Sequence, residues 1–486
     1  MLQVSEAGGP SELDGASGQV ETPPGAAGVL GDSDQQATRS QRLEARDVDG
    51  RHLGAVALAP GVAEVGQVGG VVTGLFRAEP PPSEPPRLVD DPGIAESDKR
   101  RMLAVIDLFR EQDTIDELGL SAAWDAFADL LFPGTGTVQT RARYFLFVPW
   151  IFQLAEAQRV PSAKARATVR RLEVVLIGSL LAGGANQQGI IGSQAGAQLR
   201  RMPSAIYWSG LARLGIRRFH GSIEQVLRSF DELHRSARRA TRDDDGELVD
   251  PTVRIWDKDL PGAPVGFPNE PLRLELTRPE AVFLADRVRD AAPGSLMDVL
   301  LDLSMSLGNV DFPWLHPRYA RFPAGVRETL YHAQRFSEAL HGAALLYNLI
   351  LARGRCIPEW VDHYEERLRG WTSSMEAQGQ AHAGWDRSHL WALIGQVRHV
   401  HPLAHRFVED WCDLLTRDGF RIDGNRRAAA LVTTRERQLK GPLARIGNPR
   451  ALDKWTGASG DRQYEFRWRA ARRILDDIRI GLASEQ

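Results

Sequence analysis

The chain has 486 residues, 43% of them hydrophobic and 25% charged, with a formal net charge of −3. That length and balance describe a globular protein able to bury a full core, with room for two or three domains. Two cysteines, Cys356 and Cys412, exclude a disulfide scaffold and a cysteine-rich zinc fold, and they suit a reducing cytoplasm.

Residues 1–95 carry fourteen acidic and six basic side chains among runs such as PPGAAGVLG and AEPPPSEPP. Such composition buries too little apolar surface to offset chain entropy, so the segment reads as a disordered tail or as the product of an upstream start. Within it, residues 55–76 (AVALAPGVAEVGQVGGVVTGLF) make a short hairpin at most. No basic start followed by an apolar core marks a secretory signal. The longest apolar run, residues 144–155, is interrupted by Pro149 and falls short of the roughly 20 residues that span a bilayer, so a membrane is not an expected partner.

From residue 96 the pattern is helical. Met102, Val105, Ile106 and Phe109 recur on one helix face, and Trp124, Phe127, Ala128 and Leu131 repeat the spacing behind Ser121 as the cap. Pro133 and Gly134 stop that helix. Residues 142–148 continue as helix, with Pro149 kinking it or opening another. Helices are expected over 161–181, closed by Gly183 and Gly184, and over 204–214, with Gly215 as the C′ residue. Ser222 and Gln225 form a capping box. Residues 240–278 are rich in Asp, Pro and Gly and read as a linker. Further helices run from about 324 to 353, through Leu403, Phe407, Trp411, Leu414 and Leu415, and through Trp468, Ala471, Leu475, Ile478 and Leu482.

The expected fold class is therefore mainly α: two helical lobes after a disordered N-terminal tail. The divisions are 1–95 (tail), 96–240 (N-terminal helical domain with a basic centre), 241–278 (acidic, proline-rich linker) and 279–486 (C-terminal helical domain).

The basic centre carries most of the chemistry. Between Glu156 and Glu224 ten basic residues face a single acid, Glu173. Such a surface attracts phosphates regardless of sequence. Residues 194–216 (QAGAQLRRMPSAIYWSGLARLGI) outline a helix-turn-helix whose turn lies at Met202, Pro203 and Ser204, with Gly196 sitting badly in its first helix. Arg200, Arg201, Arg213, Arg217 and Arg218 are the expected anion or nucleic-acid contacts. Residues 424–475 form a second basic stretch, with thirteen Lys/Arg against four acids; Arg469, Arg472 and Arg473 share one helix side there, read either as a second phosphate-facing surface or as a solvated helix face, the latter being the commoner arrangement.

The turn GTGTVQTRAR, residues 134–143, could cradle an anion on backbone N–H groups, with Thr135, Thr137, Arg141 and Arg143 completing it. The competing and favoured reading pairs Arg141 and Arg143 with Asp125 and Asp129 in internal salt bridges. His399, His401 and His405, with His389 upstream, lack the flanking pattern of a zinc site. The acidic group Asp107, Asp113, Asp116 and Glu117 reads as a solvated face, and Asp257-Lys258-Asp259 lacks the strands of a nuclease core. No catalytic constellation, metal site or cofactor is expected.

The stretches DLFREQDTIDELGL, DAFADLLFPGTGTVQTRARYFLFVPWIF and LRRMPSAIYWSGLARLGIRRF resemble an uncharacterised bacterial family known only as a domain of unknown function. The resemblance spans roughly residue 98 to the C-terminus. It implies a setting beside helicase-like and nuclease-like genes in bacterial defence regions and no catalytic residues. The expected role is a nucleic-acid-binding component of a DNA-directed system, anti-phage defence in particular. The alternatives are a scaffold for a partner helicase or nuclease, and a metal-dependent phosphate-acting enzyme using Asp125, Asp129, Arg141 and Arg143.

Overall fold

A computed structural model of the chain describes residues 116–239, 254–379, 382 and 384–484. The tail, the helix expected at Met102–Phe109 and the acidic run Asp243–Asp245 lie outside them. The described residues form fifteen α-helices linked by turns and short 3-10 segments. Among them there is no sheet, only one isolated antiparallel bridge between Arg217 and Trp256.

Helix α1, Ser121–Leu131, is capped by a residue that sequence reasoning assigned elsewhere. Ser121 is the first helical residue, and the Asp116 carboxylate accepts from the N–H groups of Leu120 (2.7 Å) and Ser121 (2.6 Å). Helix α2, Tyr144–Ala157, runs unbroken through Pro149. Every residue from Tyr144 to Phe152 is buried, as befits a central helix that is apolar on all sides. Its polar tips find partners: Trp150 Nε1 donates to the Pro261 carbonyl (2.6 Å), and the Tyr144 hydroxyl accepts from Ile191 N–H (3.0 Å).

Helix α3, Ser162–Ala182, and helix α4, Pro203–Arg213, pack on α2. Between them the expected first helix of a helix-turn-helix does not form: Gly196–Gln198 is one 3-10 turn. Gly196 enters it at φ +49°, a left-handed conformation that an α-helix does not tolerate. Helix α5, Ile223–Arg228, starts at the Ser222/Gln225 capping box, and α6, Phe230–Arg239, follows.

Residues 254–277 contain no α-helix, yet they are anchored: Leu272, Leu274 and Leu276 are buried and Leu272 N–H donates to the Ser179 carbonyl (2.9 Å). Helix α7, Arg278–Ala291, and the short α8, Leu296–Val299, come next. The longest helix, α9, Ala324–Arg355, lies against α10, Pro358–Ala377, through the Trp371 ring over Gly342. Then come α11, Arg387–Gly395, α12, Pro402–Asp418, α13, Arg426–Lys440, and α14, Pro449–Leu452. The last helix, α15, Trp468–Ala483, packs on α7. One hydrophobic core extends from Leu118 to Ile478, so helices on both sides of residues 241–278 share it.

A polar network fastens the first described residues to α13. The buried Glu117 carboxylate meets Lys440 and accepts from Arg445 Nη1 (2.8 Å). The equally buried Glu436 accepts from the Tyr347 hydroxyl (2.8 Å) and from the N–H groups of Arg445 and Ile446 (2.9 Å each). Burial works against the Glu436 carboxylate, but these donors and Lys440 together hold its pKa below the usual range. Glu117 is thus a buried partner, not part of a solvated acidic face.

Candidate nucleic-acid interface

The turn between α1 and α2 begins where Phe132 ends its helix. Its carbonyl accepts from both the N–H (3.2 Å) and the hydroxyl (2.6 Å) of Thr135. Gln139 bridges the turn, accepting from Gly136 N–H (3.0 Å) and donating to the Gly134 carbonyl (3.3 Å). The Tyr207 hydroxyl of α4 accepts from the N–H groups of Thr140 (2.9 Å) and Arg141 (3.2 Å), and Asp477 of α15 accepts from Ala142 N–H (2.8 Å). Most donors of the expected anion cradle are therefore committed within the protein. Thr135 is buried, whereas Thr137 faces solvent.

Arg141 and Arg143 are internal, as favoured, but with other partners. Arg141 forms a bidentate pair with Asp477, with Nε 2.9 Å from both oxygens and Nη2 2.8 Å from one. Burial lifts the Asp477 carboxyl above its usual range, against the pull of Arg141 and of Ala142 N–H; burial likewise opposes the Arg141 charge, but Asp477 outweighs it and raises the guanidinium. Both shifts are upward, which disfavours the charged carboxylate and favours the charged guanidinium, and the bidentate geometry decides for ionised partners at neutral pH. Arg143 reaches Glu280 (2.8 Å) and the Arg273 carbonyl (2.9 Å). Asp125 and Asp129 are taken instead by Arg467, and Asp129 also by Arg398 (2.6 Å).

Arg217 and Arg218 are likewise structural. Arg217 is buried, donates to the carbonyls of Phe219 and Gly221, and stacks over Trp208 with its guanidinium carbon 4.6 Å from the ring centroid. Arg218 and Arg287 converge on the buried Asp257 carboxylate, which also accepts from Asp259 N–H (3.0 Å). The Asp257-Lys258-Asp259 fragment is thus an ion-pair anchor. Arg166 pairs with Glu224, and Arg170 holds the 3-10 turn through the carbonyls of Ala197 (2.9 Å) and Leu199 (3.0 Å).

The lone acid of the basic centre, Glu173, is buried on α3 and accepts from Ser204 N–H (2.7 Å) at the start of α4. Burial raises its pKa to about 7, and the Ser204 bonds only partly offset that.

Arg200, Arg201 and Arg213 remain exposed, with no carboxylate or carbonyl partner among the described residues. The exposed positions of α4 include Ala205, Ser209 and Arg213, four residues apart on one face, and Arg200 and Arg201 are exposed in the bend just before the helix.

The histidines separate. His401 caps α12, its Nδ1 accepting from Leu403 N–H (3.2 Å), and His405 stacks on Trp391 at 4.2 Å. His389 instead joins Glu328 and His332, with potential ligand atoms within 4.8 Å of one another. Trp385 Nε1 donates to His332 Nδ1 (3.0 Å), so the neutral ring carries its proton on Nε2 and lacks a lone pair there. That hydrogen bond suits a packed histidine better than a ligand.

Residues 91–480 match the model of a family described as Family of unknown function (DUF6361). The chain belongs to that family. No curated protein and no solved structure matches it. The family description carries no activity, so the side chains of this DUF6361 member are what bear on its function. Among the described residues, no helix is long and apolar enough to cross a membrane.

Sequence reasoning missed Asp477 and Glu280, and it noted Glu173 as a lone acid without its burial against Ser204. Asp477 did leave a signal: it continues the inward row Ala470, Ile474, Gly481 of α15, where a carboxylate requires a buried cation. Glu280 stands at the third position of α7, its Oε2 accepting from Thr277 N–H (2.9 Å), a capping-box spacing also legible in sequence.

Proposed function

We propose that this protein binds nucleic acid, duplex DNA in particular, as a non-enzymatic component of a bacterial DNA-directed system such as anti-phage defence. The observation that supports the reading is the division of labour among the arginines. Arg141, Arg143, Arg217 and Arg218 serve the fold, while Arg200 and Arg201 before α4 and Arg213 at its end stay solvent-facing. Cations kept out of internal pairs are free to replace the counterions of a polyanion.

Binding of this kind is electrostatic and insensitive to base sequence. Fluorescence anisotropy with a labelled duplex, titrated with salt, tests it. The expectation is binding at low salt that weakens as salt rises. Replacing Arg200, Arg201 and Arg213 together with Gln should reduce the slope of log K against log salt by up to about 3, roughly 1 for each phosphate no longer neutralised. Absence of binding by the unaltered protein at low salt overturns the proposal.

A further inference from the structure

We infer that the nucleic-acid surface continues from α4 across the Gly134–Thr140 turn onto α15, so that Arg213, Thr137, Arg469 and Arg473 meet one phosphodiester backbone. The inference rests on the proposed nucleic-acid binding and names the second half of its surface.

The two basic stretches are some 250 residues apart in sequence, yet the turn lies between them. On one side α4 touches it with no side chain intervening. A Cβ at Gly210 would fall 2.3 Å from the Gly134 carbonyl oxygen, and one at Gly134 would fall 2.7 Å from Leu214 Cγ. Leu214 adjoins Arg213. On the other side α15 and its lead-in hold the turn: Arg467 Nη1 donates to the Thr135 carbonyl (3.0 Å), Arg473 Nη2 to the Gln139 carbonyl (3.4 Å), and the Trp468 ring lies 5.6 Å from that of Phe132.

What the turn exposes between these flanks is Thr137 and Val138, the latter 46% exposed. Their N–H groups have no acceptor among the described residues, unlike those of Gly136, Gln139, Thr140, Arg141 and Ala142. Arg469 and Arg473 are exposed on α15, and the Arg473 hydrogen bond is long enough to yield to a phosphate. The arrangement supplies a hydroxyl, backbone donors and flanking guanidinium groups, which are the usual contacts to a nucleic-acid backbone.

Two carboxylates temper the patch. Glu465 Oε2 accepts from Arg469 N–H (2.6 Å) and acts on Arg469 and Arg473, and the exposed Asp476 follows on the same helix. Neutralising Glu465 should therefore strengthen binding, a response that a purely structural role would not give.

The test uses the full chain and a labelled 20-base-pair duplex at low salt. Arg469→Gln with Arg473→Gln is expected to lower the salt slope by about 2, and Glu465→Gln to tighten binding. A Thr137→Cys variant on a Cys356→Ser background, carrying a thiol-linked photo-cross-linker, is expected to cross-link the duplex. If the unaltered protein binds the duplex but the α15 substitutions leave the slope unchanged and position 137 does not cross-link, the extended surface is wrong and the α4 reading stands. If the unaltered protein does not bind at all, both fall.

Discussion

Two buried acids next to the basic centre behave oppositely to what their neighbourhood suggests, and each can be tested alone. Glu173 has its pKa raised to about 7 by burial, so the folded state holds its proton more tightly than the unfolded chain does. The stability it contributes is fully present below the ordinary glutamate pKa and is lost as pH rises through about 7. Thermal unfolding of Glu173→Gln should lack that decline while keeping an oxygen for Ser204 N–H; an unchanged pH profile would show that the carboxyl is hydrated. Among the described residues Asp477 is the sole carboxylate in an ion pair with Arg141, and it also accepts from Ala142 N–H. Asp477→Ala leaves a guanidinium and an N–H without their acceptor and should cost about 3–5 kcal/mol in denaturant unfolding. Arg469→Ala, on the solvent side of the same helix, should stay within about 0.5 kcal/mol. Equal losses would mean that the buried pair carries no special weight. At this scale the sequence indicated that Arg141 and Arg143 would be paired but not with what, because Asp477 and Glu280 lie 336 and 137 positions away.

Element by element, the helices were legible because stop signals and apolar spacing agree with burial. The Ser222 capping box, Gly215 after α4 and the long α9 formed as their residues dictate. Pro149 misled in part: α2 is buried on every side, and packing outweighs one missing hydrogen bond. The helix-turn-helix outline failed at Gly196, whose positive φ ends any helix there. The contact between α9 and α10 sets two effects against each other at Gly342. Helix propensity favours Ala over Gly by about 0.5–1 kcal/mol. A Cβ at Gly342, however, would stand 2.3 Å from the Trp371 ring, which is held by its Nε1 donating to the Glu338 carbonyl (2.8 Å). Overpacking of a fixed ring costs about 1–3 kcal/mol, so Gly342→Ala should lower the melting temperature. A rise would mean that Trp371 can move aside and that propensity wins.

For the molecule as a whole, the body beyond the acidic tail carries a modest positive charge, and much of it is neutralised internally. Arg467, Arg398 and Arg445 tie the N-terminal elements to the C-terminal ones, and so does the Arg141–Asp477 pair. Counting charge along the sequence overstates the field that a partner would meet, since it cannot tell Arg217, buried against Trp208, from Arg213 in solvent. Among the cations that stay outside are Arg200, Arg201 and Arg213 at α4 and Arg469 and Arg473 on α15. The most direct measurement is the salt dependence of duplex DNA binding by the full chain beside its Arg200→Gln, Arg201→Gln, Arg213→Gln triple variant. The account predicts low-salt binding by the first and a slope shallower by up to about 3 in the second, with unchanged melting temperature. Identical slopes, or no binding by the unaltered chain, would contradict it.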